Sequence, residues 1–230
     1  PDWSRNIADG SIKQEVNRIM TEREKAQKGY LYDANYDKEI VEARTRCADL
    51  CYEFNNLRPS DTEKQQELLK KILGKVEGMP VVTAPFYCDY GSHIEVGENF
   101  FANYNCMIID VASVRIGDNC FMAPNVAVYT AGHPIHPDTR NSMFEYGKEV
   151  TIGDNVWLGG NTVVCPGVHI GNNVVIGAGS VVTKDIPDWS VAAGNPCRVL
   201  RKITEDDRRK EFHNEEIDEE AWNIISTQEK

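Results

Sequence analysis

Histidine and cysteine are the side chains in this 230-residue sequence best suited to moving protons or holding metal ions, and there are five of the first and seven of the second. An imidazole changes charge near neutral pH, so a well-placed histidine can take a proton from an attacking hydroxyl group. The five are His93, His133, His136, His169 and His213. His133 stands in Gly132-His133-Pro134, with His136 close behind it as a further loop contact; His93, His169 and His213 read as structural or exposed. The cysteines are Cys47, Cys51, Cys88, Cys106, Cys120, Cys165 and Cys197. An odd number without a Cys-x-x-Cys pair fits reduced thiols in a cytoplasmic protein better than a secreted disulfide framework. Cys47 and Cys51 share a helix face, but no histidine or third cysteine lies near them in sequence, so they read as packing and no metal is expected. Neither a Gly-x-Gly-x-x-Gly run nor a Walker loop is present.

The elements that must position His133 follow from a repeat. Ile152, Leu158, Val164, Ile170, Ile176 and Val182 recur at intervals of six, and Ile116, Met122 and Val128 continue the series upstream. Val96, Ala102 and Ile108 form an earlier set, displaced by a two-residue insertion expected around Val114-Arg115. A period of six suits neither an α-helix nor a hairpin; it is the signature of a parallel β-helix, three units to a triangular coil, with the aliphatic residue pointing inward. Asn and small residues suit the corners, where left-handed backbone is required. Between Val128 and Ile152 the spacing is 24, so about 18 residues are inserted as a loop. Long loops on rigid scaffolds carry function disproportionately, and this one, 129–150, contains His133.

Upstream, residues 20–77 read as helices. Thr21-Glu22-Arg23-Glu24 is a capping-box pattern. Ile40, Ala43, Cys47, Leu50, Cys51 and Phe54 fall at helical spacing, and a further helix over 62–73 ends at Gly74. The expected organisation is an N-terminal extension (1–20), a helical cap (21–77), a left-handed parallel β-helix (78–202) and an acidic helical tail (203–230). No signal-peptide pattern follows Pro1-Asp2-Trp3-Ser4. No run approaches about 18 apolar residues, so no membrane span is expected. The net charge of −11, over half of it from ten acids against four bases in 204–230, argues against nucleic acid or anionic membrane as partner.

The sequence resembles the hexapeptide-repeat acyltransferases, and more narrowly the maltose and galactoside O-acetyltransferases. The resemblance runs from about Thr21 to Lys202. It rests on Gly29-Tyr30-Leu31-Tyr32-Asp33, Cys88-Asp89-Tyr90-Gly91, Asn99-Phe100-Phe101-Ala102-Asn103, Thr130-Ala131-Gly132-His133-Pro134, Val156-Trp157-Leu158-Gly159-Gly160, Gly177-Ala178-Gly179-Ser180-Val181-Val182-Thr183-Lys184-Asp185 and Ala193-Gly194-Asn195-Pro196-Cys197-Arg198.

The resemblance implies a homotrimer with active sites between subunits, where acetyl-CoA meets a small sugar acceptor and the long loop helps to close the site. It makes His133 the general base for the sugar hydroxyl and places Asn103 beside it, where an amide can steady an oxyanion or hold the hydroxyl. Asp33, Asp89 and Asp110 match or neighbour sugar-contacting positions, since carboxylates accept strong hydrogen bonds from hydroxyl groups. Glu145 is a further candidate, for the acceptor or for positioning His133. Trp157, Gly160, Ala178, Thr183, Lys184 and Arg198 match cofactor-contacting positions: small residues admit the pantetheine arm, and the two cations suit phosphates. The galactoside branch tends to carry two consecutive acids where this chain has Asp110-Val111, so a glucose or maltose type of acceptor is favoured. Two alternatives stand beside this reading. One is another acceptor, such as a galactoside, an amino-sugar, serine or an antibiotic. The other is a solenoid used only for assembly, against which His133, Lys184 and Arg198 argue.

Overall fold

The structure, a computed structural model, describes residues 19–211 and 214–228. His213 and nearly all of the expected N-terminal extension lie outside those residues. Helix α1 (Glu22–Gln27) starts on the capping box: Thr21 Oγ1 accepts from the Glu24 amide, and Glu24 answers at the Thr21 amide. Helix α2 (Lys38–Asn55) is capped by Asp37 and buries Ile40, Cys47, Cys51 and Phe54. Helix α3 (Thr62–Ile72) buries Leu68, Leu69 and Ile72. Within the stretch read as helical, Tyr32–Asp33 is instead a short strand, whose partner lies more than a hundred residues away.

The rest is mainly β: a left-handed parallel β-helix of about six turns. The first sheet stacks Lys75–Val76, Ile94–Val96, Val114–Ile116, Val150–Ile152 and His169–Ile170. The second stacks Val81–Val82, Phe101–Ala102, Phe121–Met122, Val156–Leu158, Val174–Ile176 and Ser190–Ala193, closed by the antiparallel Arg198–Lys202. The third stacks Phe86–Cys88, Cys106–Ile109, Ala127–Tyr129, Val163–Val164 and Val181–Val182. Residues of the six-residue series lie directly above one another, as in Val96↔Ile116, Ala102↔Met122 and Ile108↔Val128. They are almost wholly buried. Burying each large aliphatic side chain is worth about 1.5–3 kcal/mol, and a shift of one residue would turn them all outward; that is what fixes the register.

Asparagine holds the corners. Asn99, Asn119, Asn155 and Asn173 all take positive φ and are linked side chain to side chain down one edge at 2.9–3.1 Å. Asn105, Asn125 and Asn161 do the same backbone work at the next edge.

The two-residue displacement lies one step earlier than the sequence suggested. Val114–Ile116 is in register with both neighbouring strands, so the extra residues belong to the turn over 110–113. The same surplus separates Cys88 from Val96 one coil before. Every irregularity of the repeat, the long loop included, therefore falls at a single edge, between the third and first sheets.

Candidate active site

That edge carries a small antiparallel sheet outside the solenoid. After Tyr129 the chain forms Ala131–Gly132, turns through the short helix α4 (Pro137–Arg140) and returns as Phe144–Gly147. Tyr32–Asp33 of the cap pairs with this returning strand, Tyr32 against Glu145 and Asp33 against Phe144. At Gly132 the Tyr146 ring lies close: a Cβ there would be 2.5 Å from it, so a larger residue would have to displace the ring. Thr130, fully buried, donates to the Ile109 carbonyl at 2.7 Å and accepts from the Ala112 amide at 3.0 Å, tying the loop's root to the inserted turn below it.

His133 is thereby fixed in orientation. Its Nδ1 lies 3.2 Å from the Phe144 carbonyl, so this nitrogen carries the proton and donates it. Nε2 is left as the acceptor, 3.8 Å from Glu145 Oε1. The other oxygen of Glu145 accepts from the buried Tyr32 hydroxyl at 3.1 Å. His136 does something different: its Nδ1 accepts from the Asp138 amide and caps α4, with the side chain 69% exposed. His169 opens a first-sheet strand further along the same edge, with its amide on Asp185 and its ring on Thr151, on the outer surface of the sheet.

Of the four candidate acids, Asp89 and Asp110 lie together near Glu145 of the loop. Asp110 is fully buried, and its carboxylate accepts from the amides of Asp89, Tyr90 and His93 at 3.0, 2.9 and 3.4 Å. It holds the inserted turn of the preceding coil. Burial raises its carboxyl above the ordinary range, opposed by those amides. Asp89 is half-buried; burial, with Asp110 adding to it and Arg44 opposing, pushes its carboxyl up to about 6. Glu145 adds further negative charge beside Asp89. The fourth, Asp33, spends one oxygen on the Asn35 and Tyr36 amides at 3.0 and 2.9 Å, as an Asx turn that ends its strand.

The remaining candidates divide between two edges of one chain. Asn103 follows the second-sheet strand Phe101–Ala102, with its Oδ1 on the Tyr104 amide. Stacked along that edge are Gly160 and Ala178, with Gly159 and Gly177 bonded to the coils below. Arg198 pairs with Ala193 at the foot of the same edge. Trp157, exposed, lies on the outer face of the second sheet in line with Phe121 and Phe101. Thr183 and Lys184, by contrast, follow the third-sheet strand Val181–Val182 and share the edge of His133. A single chain thus keeps His133 and Asn103 on different edges of the triangle.

Residues 25–78 match the maltose acetyltransferase hexapeptide capping motif, and residues 149–184 match the bacterial transferase hexapeptide of six repeats. The chain is 44% identical over 203 residues to the galactoside O-acetyltransferase of Escherichia coli, covering 88% of this chain and 98% of that one. This chain belongs to the hexapeptide-repeat acetyltransferases. Among solved structures, a maltose O-acetyltransferase from Clostridium difficile 630 superposes with a TM-score of 0.79 at 53% identity, over 81% of this chain and 99% of that one. A galactoside acetyltransferase solved with coenzyme A gives a TM-score of 0.84 at 44% identity, over 87% and 100%.

Three side chains of the candidate site in this acetyltransferase were not singled out from the sequence: Tyr32, Tyr90 and Arg44. Tyr90, pushed up to about 12 by burial, and Arg44, whose Nη2 donates to the Ala34 carbonyl at 3.0 Å, surround the acidic group. Tyr32 lay inside the Gly29–Asp33 marker, where its neighbours gave the only signal. Arg44 sits on α2 among other charged residues and carries no signal of its own.

Proposed function

We propose that the enzyme transfers the acetyl group of acetyl-CoA to a hydroxyl group of a small sugar of the glucose or maltose type, with His133 as general base. The observation that carries this reading is the orientation of the imidazole: Nδ1 is occupied by the Phe144 carbonyl at 3.2 Å, and Nε2 is the nitrogen left to accept a proton. In the reaction Nε2 takes the hydroxyl proton as the sugar oxygen attacks the thioester carbonyl; CoA then leaves as the thiol, receiving that proton. Glu145, held by Tyr32, favours the imidazolium formed in between. Asp89 and Glu145 meet the acceptor, whereas Asp110 and Asp33 shape the pocket by holding turns. A glucose or maltose type of acceptor is supported by Val111, which is buried with Ala26, Tyr32, Ala34 and Ile40 and offers no second acid beside Asp110.

The active unit in this reading is a homotrimer. Placing the His133 edge of one copy against the Asn103 edge of the next assembles the base, the amide and both halves of the cofactor set in one cleft. Gly160 and Ala178 leave room for the pantetheine arm beside Trp157; Thr183, Lys184 and Arg198 take the polar and phosphate groups. The coenzyme A bound to the galactoside acetyltransferase relative supports acetyl-CoA as the co-substrate. Seven free thiols suit the reducing cytoplasm, where we place the enzyme. The test is thiol release from acetyl-CoA across glucose, maltose, galactosides and amino-sugars. The highest kcat/KM should fall on glucose or maltose; a preference for galactosides or amino-sugars would refute the acceptor assignment.

A further inference from the structure

Cys47 and Cys51 lie on one face of α2, buried in the core. The fold brings Cys88, the last residue of the first third-sheet strand, against both of them. The Cys47 and Cys88 sulfurs are 3.5 Å apart, those of Cys51 and Cys88 are 3.8 Å apart, and all three lie within 4.8 Å of one another. Thiolates bonded at about 2.3 Å to one ion in a trigonal plane stand about 4.0 Å apart, so the trio already has nearly that spacing. The elements carrying it are held rigidly. Asn55, on the last turn of α2, donates to the Phe86 carbonyl at 2.9 Å and accepts from the Phe86 amide at 2.8 Å. All three cysteines are buried in the main apolar core with Phe54, Leu68 and Phe86.

We propose that Cys47, Cys51 and Cys88 form a closed, three-coordinate site for a thiophilic d10 cation, Cu(I) foremost, which clips helix α2 of the cap to the first coil. The donor set selects the ion. Soft thiolates take Cu(I), whereas calcium and magnesium require oxygen donors. A structural zinc ion wants four ligands, and among the described residues no histidine or carboxylate joins the group. Each thiol that becomes a ligand releases its proton as the metal–sulfur bond forms. No sulfur is oxidised. The clip sits where the strand Phe86–Cys88 reaches the catalytic edge, next to Asp89, and serves the joint between cap and solenoid rather than the acetyl transfer.

The test uses the full chain, reduced and free of oxygen, with Cu(I) supplied in competition with a chromophoric Cu(I) chelator. The wild-type protein should retain one Cu(I) per chain and melt at a higher temperature when loaded. Cys47→Ser and Cys51→Ser should each lose that ion and the thermal shift, while Cys165→Ser, outside the cluster, should keep both. X-ray absorption at the copper edge of the wild-type protein should find three sulfur neighbours, which keeps the test independent of whether the variants fold. Failure to retain Cu(I), equal retention in both cluster variants, nitrogen or oxygen neighbours at the copper, or a copper-free disulfide between Cys47 and Cys88 would each overturn the proposal.

Discussion

If each active site takes His133 from one subunit and Asn103 from its neighbour, two crippled variants should repair one another. Removing the imidazole costs about 100- to 10,000-fold, and removing an oxyanion donor about 100- to 1,000-fold, so His133→Ala and Asn103→Ala should each keep about 1% of wild-type turnover or less. When the two chains are co-expressed equally under different tags and assemble at random, a site is intact when its His133 edge comes from the Asn103→Ala chain and its Asn103 edge from the His133→Ala chain. That holds for about one site in four, so the mixture should recover about a quarter of wild-type turnover, some 25-fold above either parent. The placement of the two residues on different edges of the triangle makes this expectation specific. A site complete within one chain gains nothing from mixing. Thiol release by the purified mixed assembly, compared with each parent, decides the matter, and turnover no higher than the mean of the parents would refute the shared site.

Two further expectations concern the cofactor and the acidic cluster. Lys184→Ala and Arg198→Ala should each raise the KM for acetyl-CoA more than that for the acceptor, by an amount equivalent to about 1.5–3 kcal/mol for a lost charged hydrogen bond; unchanged acetyl-CoA constants in both would place the cofactor elsewhere. Asp89 has a carboxyl raised from 3.8 to about 6, so the folded state keeps its proton in a range where the unfolded chain has lost it. The stability this confers is complete below about pH 4 and disappears as pH rises through about 6. The melting temperature of the wild-type protein relative to Asp89→Asn should therefore decline over that interval, and a constant difference would show that Asp89 is not desolvated as described.

The solenoid was legible because its signal is periodic and redundant. Ile152 to Val182 repeats without a slip, each residue answers to the same burial constraint, and Asn at the corners reports the left-handed backbone. The capping box at Thr21 was equally readable, being local. What stayed hidden was contact between distant segments. Tyr32–Asp33 looked like part of a helical region because its strand character exists only in the company of Phe144–Gly147. The convergence of Cys88 on Cys47 and Cys51 likewise depends on how α2 docks on the first coil, which no spacing encodes. The displaced repeat at 110–113 was visible as a slip, but its place was not: counting gives the number of extra residues, and only the strand pairing assigns them to the turn. The first coil, Val76, Val82 and Cys88, does carry the six-residue interval, yet it follows directly on a helix and lacks the glycine that marks the later units.

The central claim is that His133 removes the proton of the acceptor hydroxyl, and His133→Ala tests it most directly. The side chain is 43% exposed in an inserted loop and its ring bonds to a loop carbonyl, so its removal should leave the fold, the assembly and acetyl-CoA affinity nearly unchanged. The turnover number should fall by about two orders of magnitude or more, the usual worth of a general base, while His136→Ala, which loses only a cap on α4, should fall far less. A His133→Ala enzyme that keeps more than about a tenth of wild-type turnover, with acetyl-CoA binding intact, would contradict the account, because general-base catalysis by this imidazole is worth more than that.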